Sequence, residues 1–373
     1  MLVCIKASSF YILFSQTFLS YFLRILPTLR ASLEDHQRMR KVASYAWIAV
    51  NLASMSGLIP LSANDRYSLN NHWELLGDFV YMRRADIHKK KLVKDGNKFQ
   101  CHGQCPDFTV INTANLVNNF DFEPGYRVGL TWTADARMGF EWNFLYIQPW
   151  HAEKKVYGNR SLSFPFSHAS YTQDFQGASE AIAKYNSHFW DLEFDYWCYM
   201  SPPRIDYFSM SGLVGLRYFH WDEGFKLQMF NPPDKSDYNI HTQNRVFGVQ
   251  FGLDIQWNPD HWISWEFCAK VGGMIDHSEQ KTFLGDLNNK VTLRDFDKQK
   301  REMGIFTDVA AEFAFHCNSH LNFHFGYQMM FFSGLTLAPE QISYRTNTRA
   351  GRRNYDHGTA IIHGMYAGVI FGF

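Results

Sequence analysis

The sequence predicts an all-β protein: a transmembrane antiparallel β-barrel of about ten strands, with twelve or eight as the alternatives. Three observations predict it. Apolar and polar side chains alternate with period two through ten separate stretches. The links between those stretches alternate short and long, the asymmetry of barrels with tight periplasmic turns and long external loops. Aromatic residues make up 17% of the chain, with 11 Trp, 19 Tyr and 34 Phe, yet the mean hydropathy is negative. That combination excludes a bundle of apolar helices and suits strands with one face in lipid and one in water. Basic and acidic residues balance at 36 each, so net charge draws the chain neither to nucleic acid nor to an anionic surface.

In chain order, the first region is read as export apparatus rather than fold. From Met39 the sequence runs MRKVASYAWIAVNLASMSGLIPLSA. Arg40 and Lys41 form a basic start, an apolar run follows, and Leu61-Ser62-Ala63 ends in the small residues a signal peptidase takes. Residues 1–38 are then an over-extended N-terminus, 39–63 a signal peptide, and 64–373 the barrel. No cysteine follows the cleavage point, so no lipid anchor is expected there. The close spacing of Cys101 and Cys105 in CHGQC suits a local disulfide in an oxidising compartment. With His102 the pair offers too few ligands for a metal, and neither metal nor cofactor is expected.

The strands are expected near 72–84, 124–134, 137–149, 187–199, 206–221, 243–257, 262–276, 302–316, 320–332 and 361–373. Each is long enough to cross a bilayer at a tilt, which takes about 9 to 11 residues. Long connections are expected at 87–123, 150–186, 222–242, 277–301 and 333–360. The faces follow from the alternation. In VFGVQFGLDIQW (246–257), Phe247, Val249, Phe251, Leu253, Ile255 and Trp257 form an apolar row for lipid, leaving Gly248, Gln250, Gly252, Asp254 and Gln256 for the lumen. The last strand, MYAGVIFGF, ends an apolar row in Phe371 and Phe373, the pattern read by outer-membrane insertion machinery. All the Trp residues except Trp47 fall in or beside these strands, as an interfacial girdle requires.

The stretch WDLEFDYW (190–197) turns Trp190, Leu192, Phe194 and Tyr196 to lipid and therefore Asp191, Glu193 and Asp195 to the lumen. The same parity sends Asp254, Glu266, Asp308 and Glu312 inward, with Glu74, Asp78 and Glu141, opposed by Arg217, Lys270, Arg127 and His324. An acidic interior in a neutral protein is open to more than one reading. The acids and bases fill a narrow barrel as a hydrogen-bonded network, or rings of carboxylate select cations in a pore. Small lumen residues such as Gly248, Gly272 and Gly326 would leave space for the latter. An omptin-like protease is the remote alternative: His220 with Asp222 and Glu223, or Asp276 with His277, supply an acid and a histidine at the outer rim, without that family's sequence pattern. There is no P-loop, dinucleotide-type glycine pattern or HExxH zinc motif.

GLRYFHWDE (215–223), TQNRVFGVQFGLD (242–254), KVGGM (270–274) and GYQMMFFSGLTLAPEQI (326–342) together resemble the β-barrel porin family seven of planctomycete-type bacteria, related to chlamydial porin-like proteins. The resemblance spans roughly residues 70 to 373, and the last motif is its most specific part. It implies an outer-membrane barrel with a transport role and supplies no catalytic residues. The charged stretch 281–301 and the long connections depart from it.

The expected function is therefore porin-like passage of small, preferentially cationic solutes along the acidic lumen, with a closed structural or surface-interaction barrel as the alternative. No enzyme activity is expected. Outer-membrane lipid, lipopolysaccharide and the barrel-insertion machinery are the expected partners, the first two through the basic runs at Lys89, Lys90 and Lys91 and at Arg349, Arg352 and Arg353. The export reading has a direct check: mass spectrometry of protein extracted from the membrane should find Asn64 at the N-terminus, and recovery of residues 1–38 would overturn it.

Overall fold

A computed structural model describes residues 72–86, 90–96, 109–135, 138–166, 174–200, 208–260, 262–318, 320–345 and 357–373. The proposed cleavage site at Ala63, the pair Cys101 and Cys105, His102, Lys89, and Arg349, Arg352 and Arg353 lie outside the described residues. Ten long strands close into an antiparallel ring: β1 (His72–Asp86), β4 (Glu123–Asp135), β5 (Met138–Ser163), β6 (Gln176–Tyr199), β7 (Phe208–Asn231), β8 (Asp234–Asp260), β9 (Ile263–Asp286), β10 (Val291–His316), β11 (Leu321–Leu335) and β12 (Gly358–Gly372). Two short strands, β2 (Lys91–Asp95) and β3 (Thr109–Asn112), and the helix α1 (Thr113–Val117) belong to the first long connection. Asn112 caps α1, its side chain accepting from the Asn115 amide.

Closure is complete at both seams. β1 pairs with β12 from Glu74 opposite Gly372 to Asp86 opposite Ala360, and the ends are tied by reciprocal bonds between Trp73 and Phe373, 3.1 and 2.9 Å. β5 pairs with β6 from Met138 opposite Cys198 upward. A closed antiparallel ring leaves no edge, which is what backbone amides in hydrocarbon require.

The outward face carries an apolar belt. Phe251 is 60% exposed, and Phe247, Val271, Ile275, Ile305 and Phe325 are each at least half exposed. Burying that much apolar surface needs an apolar solvent, and lipid supplies it. At the end carrying the start of β1, the end of β12 and the short connections, Trp73, Trp132, Trp257, Trp262 and Trp265 mark the interface; Trp73 and Trp132 stack at 6.0 Å. Three of the described tryptophans do not face outward. Trp150 and Trp221 are wholly buried, and Trp197 faces the lumen.

The connections differ from expectation. Segments 150–186, 222–242 and 277–301 are strand for most of their length: β5 runs on to Ser163, β7 to Asn231 and β9 to Asp286, and their partners descend from just beyond the turns. The physical reason lies in the alternation itself. Above the belt its parity persists while its polarity inverts, so Phe225, Leu227 and Met229 are buried inside and Lys226 faces water. Strands β5 to β10 therefore rise as tall hairpins beyond the lipid.

The belt gives a test. Phe251→Arg should impair membrane assembly and cost about 2 to 4 kcal/mol if the site lies near the bilayer midplane. Val291→Arg, at the base of the turn at the top of β10, should stay within about 0.5 kcal/mol. Urea unfolding in lipid vesicles reads both, and equal effects would displace the belt.

Candidate functional site

Every expected lumen residue lies on an inward position, and together they make a layered interior. Reading from the short-turn end, the first layer is a cavity of about 510 Å³. Its carboxylates include Glu141, Asp254 and Glu266, and apolar Leu76, Leu213 and Ile370 share its wall. Beside it Asp78 receives Arg127 at 2.5 and 2.6 Å and contacts His324. His324 also faces Glu312 at 3.2 Å, and the Tyr366 hydroxyl donates to Glu312 at 3.1 Å.

The second layer is built on Arg217, which is 1% exposed. Its guanidinium donates to Asp191 through Nη2 at 2.6 Å and Nε at 3.0 Å, and to Asp308 through Nη1 at 3.1 Å, with Glu193 at 3.3 Å. Lys270 bridges Glu193 and Asp195 at 2.6 and 2.7 Å. Gln250 donates to the same two carboxylates, and Gln328 donates to Asp308 at 2.9 Å. An arginine suits this place because its planar fork serves several carboxylates at fixed angles, which a lysine cannot do. The bonds run from β6 and β7 to β10, and Arg217 Nη2 also reaches the Met330 sulfur on β11 at 3.2 Å, so the layer crosses the lumen.

A third layer was not anticipated. Phe189, Phe219, Trp221, Phe306 and Phe332 are fully buried inside the barrel. Phe332 meets Phe219 at 4.8 Å, Trp221 at 5.5 Å and Phe189 at 5.6 Å. Strands β6 and β11 are five places apart in a ring of ten, so the contact between Phe189 and Phe332 spans the full diameter. The lumen glycines do not leave space. A Cβ at Gly272 would meet Phe306 Cζ at 2.3 Å and one at Gly326 would meet Tyr366 at the same distance. These glycines make room for neighbouring rings.

Above the rings, Arg84 lies between Tyr185 at 5.1 Å and Trp221 at 5.3 Å and pairs with Glu223 at 2.7 Å, all three partners on β6 or β7. Residues 336–342 then fold inward as a lid. The Thr336 amide donates to Asn244 at 2.9 Å, and the Ala338 amide to Glu223 at 2.8 Å. Lys90 clasps the outer side of this segment, donating to the Glu340 carbonyl at 2.5 Å with the Glu340 carboxylate at 3.7 Å. Burial lowers the Lys90 ammonium from its ordinary value, and Glu340 opposes that shift.

The acid and histidine groups of the protease alternative are divided between the two faces of the wall, except that His220 and Asp222 share the outward one. Glu223 points inward to Arg84, whereas His220 stacks on the outward Trp190 at 5.8 Å and Asp222 lies 3.5 Å from His241. Asp276 is buried inside and His277 lies on the opposite face. Among the described residues no group of three or more His, Cys, Asp or Glu is arranged to hold a metal. Two features could have revealed the missed layers. Extending the parity of Arg217 upward leads directly to Phe219, Trp221 and Glu223, and the apolar run in GLTLAPEQI is out of place in an exposed loop.

A closed ten-stranded barrel with an apolar belt, a tryptophan girdle and a charged interior is an outer-membrane β-barrel. No family model and no curated protein matches the chain. Among solved structures, it is similar to the outer membrane protease OmpT from Escherichia coli at 7% identity and a TM-score of 0.44, covering 81% of this chain and 97% of that one. The translocator domain of autotransporter NalP from Neisseria meningitidis matches at 7% identity and 0.32, covering 91% and 99%. A Pseudomonas aeruginosa FadL homologue matches at 9% identity and 0.28, covering 85% and 95%.

Arg217 offers the sharpest test of the network. Arg217→Met leaves Asp191 and Asp308 facing each other without their shared cation and should cost about 3 to 5 kcal/mol in urea unfolding. Adding Asp191→Asn and Asp308→Asn should restore a substantial part of that loss. A single variant as stable as the parent would mean that the network contributes nothing.

Proposed function

We propose that this outer-membrane barrel works closed, presenting its tall hairpins to the exterior as an interaction surface instead of passing solutes in bulk. The observation that carries the reading is the contact of Phe189 with Phe332 across the whole diameter, between the Arg217 layer below and the Glu223 and lid contacts above. Barrels of this strand number have interiors that side chains can fill, whereas open porins have about 16 to 18 strands. The outward, exposed Phe371 and Phe373 support handling by the insertion machinery. Lipopolysaccharide is the neighbour proposed for the hairpin surface.

A second reading keeps the porin-like role, with a gate, and is favoured by one observation: the carboxylate-lined cavity already present at the periplasmic end would select cations if the upper layers moved. The resemblance to porin family seven points the same way. Planar-bilayer recording of the folded protein separates the two. Under the closed reading the parent protein is silent, and truncating the two crossing layers with Arg217→Ala, Phe189→Ala and Phe332→Ala produces stepwise current with cation preference. Stepwise current from the parent would sink the closed reading in favour of the gated one.

A further inference from the structure

The periplasmic cavity is charged beyond what its own cations balance. Asp191 and Asp308 pair with Arg217, Glu193 and Asp195 with Lys270, and Glu312 with His324. Glu141, Asp254 and Glu266 have no basic side chain within ion-pair distance among the described residues. Glu141 accepts only from the Asn143 amide, and Asp254 receives the Ser211 hydroxyl at 3.5 Å. The ladder makes the imbalance worse, because Glu266 stands directly opposite Glu312 and Glu141 directly opposite Asp195. Like charges directly opposite in a sheet repel.

Two enclosed acceptors add an independent observation. Gln328 is 6% exposed and lines the cavity; its Nε2 is spent on Asp308, and its Oε1 has no hydrogen-bond partner. The Asp254 Oδ1 is also enclosed without a partner. A buried acceptor without a donor is costly, and no side chain around the cavity donates to either atom.

The form of the missing donor follows from the wall. The unpaired carboxylates sit on β5, β8 and β9, two of them on neighbouring strands and the third three places round the ring. Leu76, Leu145, Leu213 and Trp197 lie between the charged positions. A single metal ion could not serve separated carboxylates, and no three-ligand cluster exists among the described residues. Ammonium groups separated by methylene segments match both features, the methylenes lying on the leucines and a cation reaching the face of Trp197.

We infer that the periplasm-facing cavity is a binding site for a linear aliphatic polyamine, held by Glu141, Asp254 and Glu266 with Gln328 as an uncharged acceptor. The site opens toward the periplasm whether the layers above it are fixed or gated, so failure of the closed reading would not remove it.

Spermidine is the probe, titrated calorimetrically into the detergent-extracted, folded protein, with magnesium chloride as the competing inorganic cation. Saturable binding at one site is expected, weakened at least tenfold by Asp254→Asn with Glu266→Gln and unchanged by Glu153→Gln on the outer wall. These exchanges keep side-chain size and reduce repulsion, so the variants should fold, as circular dichroism checks. Gln328→Met should weaken binding by a smaller factor while the acids stay intact. No saturable heat from a folded barrel would overturn the inference, as would binding indifferent to Asp254 and Glu266. Displacement by equimolar magnesium would overturn the polyamine assignment.

Discussion

Hydrocarbon offers no partner to a backbone amide, and the rest of this structure follows from that constraint. The sheet must close, and closing it between β1 and β12 and between β5 and β6 fixes which half of every strand's side chains is enclosed. Once the ring is shut, polar and charged side chains on the inner positions cannot reach bulk solvent except at the ends. They must satisfy one another, and the bonds from Arg217 to Asp191 and Asp308 are how that demand is met at the middle of the barrel. Lipid on one side of the wall and a charge network on the other are two consequences of one closure.

The two materials filling the lumen do different physical work. Removing Arg217, Lys270 and their carboxylates from water is expensive, and their attraction recovers that cost only because nearly every oxygen finds a donor. The gain is in specificity: a strand shifted by one residue would put Asp191, Glu193 and Asp195 in lipid. The rings above them need no partners of that kind. Phe189, Phe219, Trp221 and Phe332 gain from dispersion and edge-on geometry, with aromatic pairs contributing roughly 0.5 to 1.5 kcal/mol beyond their buried area. The aromatic layer packs across the lumen and the charged layer fixes its register.

The barrel, its ten strands and the inward set from Asp191 to Glu312 were legible because period-two alternation is a local signal, carried by each strand on its own. The stopping points of the strands were not. At Trp221 to Met229 the apolar residues move from the lipid side of the wall to the inside without any change of phase, and reading apolar as outward makes the strand seem to end. The filling of the lumen was also hidden. Gly272 and Gly326 read as vacancies along one strand, yet the rings that occupy them, Phe306 and Tyr366, come from β10 and β12. Contacts between strands far apart in sequence leave no periodic trace. The inward fold of residues 336–342 depends likewise on Asn244 and Glu223, which lie about a hundred positions earlier.

The tall hairpins also constrain how this protein can change over generations. Adding two residues to each arm of the β7 and β8 hairpin would raise its tip by roughly 7 Å and leave every side chain below on its present face. Adding one residue within an arm would turn all positions beyond it inside out, exchanging Phe225 and Leu227 with Lys226 unless a bulge absorbed it. Height above the membrane is therefore free to vary in even steps near the tips, while the lipid-embedded wall stays fixed. A wall built in this way can change how far it projects without disturbing the part of the molecule that lies in lipid.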